Sequence, residues 1–159
     1  MVFKRCDVVK KIVKIIQIFG SYEGEDKMML HLLPKKGKYL DIGCNTPIKG
    51  SNTLLLYMKG WDGICIDIRK IRRFKWLRPR DKVLVKEVID ISEYKDYDLL
   101  DLDVDGIEIH ILKTMTFYPE FILVECHLPM QNEIPSYLES LGYEMIGMTK
   151  MNKFFRRGV

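Results

Sequence analysis

Short apolar runs alternate with amphipathic stretches along most of the chain. Five runs have the length and composition of strands, and they span residues 39–42, 63–68, 83–89, 99–104 and 121–126. Stretches with helical spacing, such as 53–58 and 107–115, lie between them. Strand-like runs separated by helix-like ones are typical of βαβ units. The pattern therefore predicts an α/β domain with a mainly parallel sheet.

The C-terminal part of the chain has a different pattern. A helical stretch at 134–141 is closed by Gly142, and two short strand-like runs follow at 143–148 and 153–156. Because so few residues separate these two runs, we expect them to pair as an antiparallel hairpin.

The first twenty residues have the spacing of an amphipathic helix. Apolar positions between Val8 and Phe19 fall on one side, and Lys10, Lys11 and Lys14 fall on the other. We expect residues 1–20 to form a helix that ends at Gly20 and packs on a single domain formed by residues 21–159. A basic amphipathic helix also suits a membrane surface, so peripheral membrane contact through this helix is a second reading.

The composition indicates one domain in a reducing compartment. The chain has 159 residues, 47% of them hydrophobic and 30% charged, and its four cysteines form no C-x-x-C pair. A zinc ribbon and a small disulfide scaffold are therefore not indicated. Charged residues interrupt the N-terminal apolar run, and no small-residue cleavage site follows it. We expect a cytoplasmic protein with reduced thiols.

Acidic residues follow the ends of the predicted strands. In an open parallel sheet, ligands bind beyond the carboxyl ends of the strands. The acids at these ends are Asp41, Asp67, Asp90, Asp103, Asp105 and Glu125. Asp41-x-Gly43 alone is a weak signal, but Asp67 ends the next strand and fits an acid that binds two ribose hydroxyls.

The loop after the first strand indicates which kind of nucleotide would bind. Binding of NAD through its pyrophosphate uses a G-x-G-x-x-G loop. Here Gly43 is followed by Asn45, Pro47 and Gly50, which does not match that pattern. A nucleotide cofactor without a pyrophosphate is favoured.

Several motifs occur in a fixed order between Ser21 and Phe155. They are SYEGED at 21–26, YLDIGCNTP at 39–47, SNT at 51–53, GWDGICID at 60–67, DLDVDG at 101–106, FILVE at 121–125, and the closing GY at 142–143 and NKFF at 152–155. Together they resemble the FkbM-type methyltransferases, a family that depends on S-adenosylmethionine (SAM). The chain departs from the family pattern at Asp105, where a glutamate is more usual, and at Tyr22, where a glutamine is.

The resemblance implies a Rossmann-like class I methyltransferase fold. This fold has a mainly parallel seven-stranded sheet with an antiparallel C-terminal hairpin and helices on both faces. It also implies SAM as methyl donor and a hydroxyl of a sugar or small molecule as acceptor. The cofactor-binding residues that it implies are Asp41, Gly43, Asn45, Ser51, Asn52, Thr53, Asp67, Ile68, Ile89, Asp90 and Asp103, with Glu25 and Asp26 near the methionine moiety.

Methyl transfer to a hydroxyl requires a group that removes the proton of the acceptor. The candidates at the predicted rim are Asp103, Asp105, Glu125 and His127. We predict Asp103 as the essential residue, His127 as the base because its proton affinity suits neutral pH, and Asp105 as a further catalytic residue. Asp103 or Asp105 could instead orient the acceptor or hold a divalent metal, although no metal ligand is assigned.

Two other classes of function stay open. The stretch from Arg69 to Arg80 holds seven cations in twelve positions, together with Phe74 and Trp76, and this composition suits a nucleic-acid partner. Charge runs are more often solvated faces. The third reading is a SAM-binding fold that has lost catalysis and serves as an interaction module.

No Asn/Asp-Pro-Pro-aromatic run follows the fourth strand, which favours oxygen over an amine as acceptor.

Overall fold

The computed structural model describes residues 20–69, 73–126 and 132–158. The helices within these residues are α1 (Glu25–Leu32), α2 (Leu54–Met58), α3 (Phe74–Leu77), α4 (Glu108–Leu112) and α5 (Glu133–Ser140). The strands are β1 (Lys38–Ile42), β2 (Asp62–Asp67), β3 (Lys82–Val85), β4 (Leu99–Leu102), β5 (Phe121–Glu125), β6 (Tyr143–Met148) and β7 (Asn152–Arg157). The predicted N-terminal helix and His127 lie outside the described residues.

All seven strands belong to one sheet in the order β3-β2-β1-β4-β5-β7-β6. Strands β1 to β5 pair in parallel, whereas β7 is antiparallel to both β5 and β6. The mainly parallel sheet and the antiparallel C-terminal hairpin are therefore confirmed. Because β1 and β4 are neighbours whose connections leave in opposite directions, their carboxyl ends form the crevice where ligands bind in such sheets.

The core lies on both faces of the sheet, since successive side chains of a strand point to opposite faces. Leu40 and Leu100 belong to the face that α4 and α5 cover. Tyr39 and Leu99 belong to the other face, together with side chains of α1, α2 and α3. Both faces are thus buried by helices, which confirms that part of the prediction and explains why the central strands are almost continuously apolar.

The third strand is shorter than its apolar run predicts. It ends at Val85, opposite Asp67, because β2 ends there and β3 has no other neighbour in the sheet. The chain then turns so that Val88 is buried while Ile89 is 67% exposed. Asp90 therefore does not follow directly on a strand end, which corrects the sequence-based placement.

The basic stretch is less uniform than its composition suggests. Residues Phe74–Leu77 form α3, and the side chain of Arg78 is completely buried. Arg73, Lys75 and Trp76 are exposed. Among the described residues of this stretch, Arg78 therefore lies in the interior, while the other cations lie at the surface. No helix among the described residues is long and apolar enough to cross a membrane.

Candidate active site

Two adjoining clefts open at the carboxyl ends of β1, β2 and β4. The first cleft has a volume of about 180 Å³ and is lined by Asp67, Ile68, Val88, Val104 and Ile107. The second cleft has a volume of about 360 Å³ and is lined by Tyr22, Glu23, Glu25, Asn52, Glu125 and Asn152. The second is within the size range of small-molecule sites, roughly 300–1,000 Å³. The residues common to both are Gly43, Arg69, Asp103 and Asp105.

Gly43 allows the loop after β1 to pack directly on the end of β4. Its φ is +84°, and a Cβ atom there would lie 1.7 Å from the carbonyl oxygen of Asp103. The backbone N–H of Gly43 donates to Ile66 O at 2.9 Å, and that of Asp103 donates to Ile42 O at 3.0 Å. Only glycine combines this conformation with so close an approach. At the junction of the clefts, the lining is therefore loop backbone and not a side chain.

Asp67 places a carboxylate in the wall of the first cleft. Its Oδ2 accepts a hydrogen bond from the Asn45 backbone N–H at 2.9 Å, and its Oδ1 accepts from the Arg69 backbone N–H at 2.8 Å. The Arg69 side chain, which is 68% exposed, forms an ion pair with Oδ1 at 3.1 Å. The backbone contacts fix the carboxylate, while the exposed guanidinium can be replaced by another pair of donors.

Three carboxylates converge on the second cleft. One oxygen from each of Asp103, Asp105 and Glu125 lies within 4.8 Å of the others. Burial raises the pKa of Glu125 to about 8, and the Coulombic effect of Asp103 adds to this. Such an arrangement of acids favours a cation, a hydrogen-bond donor or a shared proton.

Glu108 holds the loop that carries Asp103 and Asp105. Its carboxylate is buried and accepts hydrogen bonds from the backbone N–H groups of Val104 and Gly106, both at 3.1 Å. Asp105 itself has a φ of +57°, in the left-handed region. The sequence interpretation missed Glu108. An acid three residues after an Asp-Gly turn, at the start of a helix, is the signal that could have identified it.

Glu25 ties the start of α1 to the turn between β6 and β7. Its Oε1 accepts from the Thr149 hydroxyl at 2.8 Å and from Asn152 Nδ2 at 3.0 Å. Next to it, Glu23 Oε2 accepts the Met151 backbone N–H at 3.0 Å. These contacts bring the N-terminal SYEGED segment and the C-terminal hairpin together as one wall of the second cleft.

Three of the predicted cofactor residues lie in a buried cluster behind the clefts. Asp41 accepts a hydrogen bond from the Thr53 hydroxyl. Arg78 donates to Ser51 Oγ and to Thr53 Oγ1, each at 2.9 Å. Burial raises the pKa of Asp41 to about 6, with Arg78 acting in the opposite direction. This buried cluster therefore supports the clefts from behind through Asp41, Ser51 and Thr53.

The remaining predicted residues divide into two groups. Ile68 lines the first cleft, and Asn45 and Asn52 line the second. Asn52 also donates from Nδ2 to Asp101 Oδ1 at 3.2 Å. Ile89 and Asp90 lie at the surface beyond β3. No local pattern identifies Arg69 or Asn152 as a lining residue, because their positions depend on how distant segments pack.

Several solved structures are similar to this chain. No family model matches the sequence, and no curated protein matches it. A TehB-like SAM-dependent methyltransferase from Corynebacterium glutamicum has a TM-score of 0.61 at 15% identity, with 96% of this chain and 97% of that chain covered. A proposed RNA methyltransferase from Pyrococcus horikoshii has a TM-score of 0.59 at 13% identity, with 85% and 80% covered.

A third neighbour was solved with small molecules bound. It is 1,6-didemethyltoxoflavin-N1-methyltransferase from Burkholderia thailandensis, in complex with 1,6-didemethyltoxoflavin and S-adenosylhomocysteine, with a TM-score of 0.55 at 12% identity and coverage of 85% and 77%. All three neighbours align with most of this chain.

The chain has the class I methyltransferase fold. At such low identity this likeness defines the architecture, and the reaction has to be argued from the side chains of this chain.

Proposed function

We propose that the protein is a SAM-dependent methyltransferase of the FkbM type that methylates a hydroxyl of a sugar or small molecule. The observation that carries the proposal is the position of Asp103 at the junction of the two clefts, next to Gly43. One cleft has the lining of a nucleoside site, and the other has the acids expected around an acceptor. A transfer reaction needs this contact between two sites.

The lining of the first cleft fits the adenosine part of SAM. Asp67 offers a carboxylate for the ribose diol, which would take the place of the exposed Arg69 side chain. Val88, Val104 and Ile107 supply apolar surface for the adenine. In the second cleft, Asn45 and the exposed backbone of Gly43 lie where the methionine part would extend. When bound, SAM supplies an activated methyl group.

The residues of the chain hold the acceptor and remove its proton. Asp103 borders both clefts, so its carboxylate is placed to accept a hydrogen bond from the hydroxyl of a molecule in the second cleft. Asp105 lies two residues further in the loop that Glu108 fixes, and it orients the same hydroxyl. His127 remains the predicted base and lies outside the described residues.

Calorimetric titration of the purified protein with SAM and with S-adenosylhomocysteine tests the cofactor. We expect micromolar binding that Asp67→Ala abolishes, because a ribose diol loses its bidentate acceptor. Asp62→Ala, at the opposite end of β2, is the matched control and should bind as the wild type does. Failure of the wild type to bind either compound would refute the proposal. Binding without transfer to any acceptor would favour the interaction module that has lost catalysis.

A nucleic-acid substrate is the second candidate, and one observation favours it. Trp76 is 87% exposed, and it lies in α3 directly after the exposed cation Lys75 and three residues after the exposed Arg73. Aromatic rings among cations stack on bases and bind phosphates. The carboxylates of the second cleft oppose it, since they repel a phosphate backbone. Loss of single-stranded RNA binding in Trp76→Ala, together with a steep salt dependence, would support this candidate.

The cysteines support a location in the cytoplasm, which we include in the proposal. Cys44, Cys65 and Cys126 are buried free thiols. Proteins of oxidising compartments more often use their cysteines in disulfides. We also retain residues 21–159 as a single SAM-binding domain, since the described strands form one sheet.

A further inference from the structure

The three carboxylates of the second cleft have the spacing of ligands to one cation. Asp103 and Asp105 follow β4, and Glu125 ends the neighbouring strand β5. Ca²⁺, Mn²⁺ and Mg²⁺ bind oxygen at about 2.0–2.6 Å, so two oxygens on opposite sides of one ion are roughly 4–5 Å apart. The separation of at most 4.8 Å between the three oxygens therefore allows one ion to contact all of them.

Asn152 provides a second and independent observation at the same place. It is only 6% exposed, lines the second cleft and is the direct partner of Glu125 in the pairing of β5 with β7. Its Nδ2 donates to Glu25 Oε1 at 3.0 Å, which fixes the orientation of the amide. No donor of the described residues reaches its buried Oδ1. A buried amide oxygen without a donor is costly, and it is a ligand that hard cations accept.

The charges around the cleft also favour a small cation. Arg69 is the one positively charged side chain among the described residues that line this cleft, and it is engaged by Asp67. Glu23 and Glu25 add further acidic groups to the same wall. Oxygen ligands of this kind, from carboxylates and an amide, are the set that hard divalent cations prefer.

We propose that Asp103, Asp105 and Glu125, with Asn152 Oδ1, bind a hard divalent cation of the Mg²⁺ or Mn²⁺ class. Each carboxylate contributes one oxygen to the ion. The ion itself can bind whether or not the proposed function holds. Its role rests on that function: it holds the acceptor hydroxyl at the junction of the clefts and lowers the pKa of that hydroxyl.

Binding of Mn²⁺ to the full chain, in the absence of SAM, tests the site directly. Protein stripped with EDTA is titrated with Mn²⁺, and the free ion is measured by electron paramagnetic resonance. We expect the wild type to bind one Mn²⁺ per chain. Asp105→Asn and Glu125→Gln should each bind Mn²⁺ about tenfold more weakly or worse, because each substitution removes a charged ligand. Circular dichroism confirms that the variants are folded.

Asp96→Asn is the matched control for Asp105→Asn. Both aspartates are exposed, and both have a positive φ, +61° at Asp96 and +57° at Asp105. The two substitutions should therefore affect the backbone in the same way. Asp96→Asn should leave Mn²⁺ affinity within twofold of the wild type. Absence of saturable Mn²⁺ binding, or equal Mn²⁺ affinity in Asp105→Asn and Asp96→Asn, would overturn the metal site.

The titration with SAM separates this proposal from the proposed function. Binding of Mn²⁺ without binding of SAM or S-adenosylhomocysteine would retain the ion and remove the methyltransferase role. Binding of SAM without binding of Mn²⁺ would retain the cofactor and overturn the metal site.

Discussion

Replacement of Arg78 by methionine should lower the free energy of unfolding by about 3–5 kcal/mol, because it breaks a buried ion pair and leaves the partner charge in place. The guanidinium is fully buried. Its Nε donates to Asp81 Oδ2 at 2.6 Å, and its Nη2 donates to the Tyr39 hydroxyl at 2.7 Å. The Asp81 side chain is 0% exposed, so water cannot take over the role of the arginine.

The size of the effect is large relative to the stability of a domain. The free energy of unfolding of a domain is about 5–15 kcal/mol. At this chain length, each kcal/mol of lost stability lowers the melting temperature by roughly 2–4 °C. We therefore expect Arg78→Met to melt roughly 6–20 °C below the wild type. Urea unfolding followed by circular dichroism gives the free energy directly.

Two comparisons make the test specific. Arg80→Met is the matched control, since Arg80 is exposed, is two residues away and donates to the carbonyl oxygens of Tyr57 and Trp61. It should cost about 1 kcal/mol. In Arg78→Met/Asp81→Asn the unpaired charge is removed, so the double variant should lose less than the sum of the single ones. A loss in Arg78→Met no larger than that in Arg80→Met would refute the reasoning.

Two further predictions concern stability near the clefts. Gly43→Ala should cost more than Gly142→Ala and should also weaken SAM binding. Both glycines have a φ of +84°, so both substitutions incur about 1–2 kcal/mol of backbone strain. Only at Gly43 does the new Cβ also meet the Asp103 carbonyl oxygen. Urea unfolding measures the loss of stability, and calorimetry measures the loss of SAM affinity. Asp101→Asn should gain stability relative to the wild type as the pH rises from 5 to 8. Burial raises the pKa of Asp101, so the folded wild type binds its proton more tightly than the unfolded chain, and the stability from that proton is lost as the pH rises. An advantage of the variant that stays constant or shrinks over this range, measured by urea unfolding at both pH values, would contradict this reasoning.

Much of the architecture could be predicted from local patterns. The periodicity of the apolar runs identified the parallel strands, and the short spacing between 143–148 and 153–156 identified the antiparallel hairpin. The position of Gly43 after β1 and of Asp67 at the end of β2 also followed from the order of the runs. These features are local because the period of a strand and the turn preference of glycine are properties of neighbouring residues.

Other features depended on contacts between distant segments. The apolar run at 83–89 could not show that β3 is an edge strand that ends opposite Asp67. Composition could not show that Arg78 enters the interior while Arg73 and Lys75 remain at the surface, since this depends on the hydroxyls and the carboxylate that surround it.

The three carboxylates of the second cleft show the same division between sequence and tertiary structure. The order of the apolar runs predicts that Asp103, Asp105 and Glu125 lie at strand ends at one edge of the sheet. The distance of at most 4.8 Å between their oxygens arises because β4 and β5 are neighbours there, and the pairing of β5 with β7 places Asn152 opposite Glu125. Residues far apart in sequence are brought together by strand pairing and packing, and no local pattern records those distances.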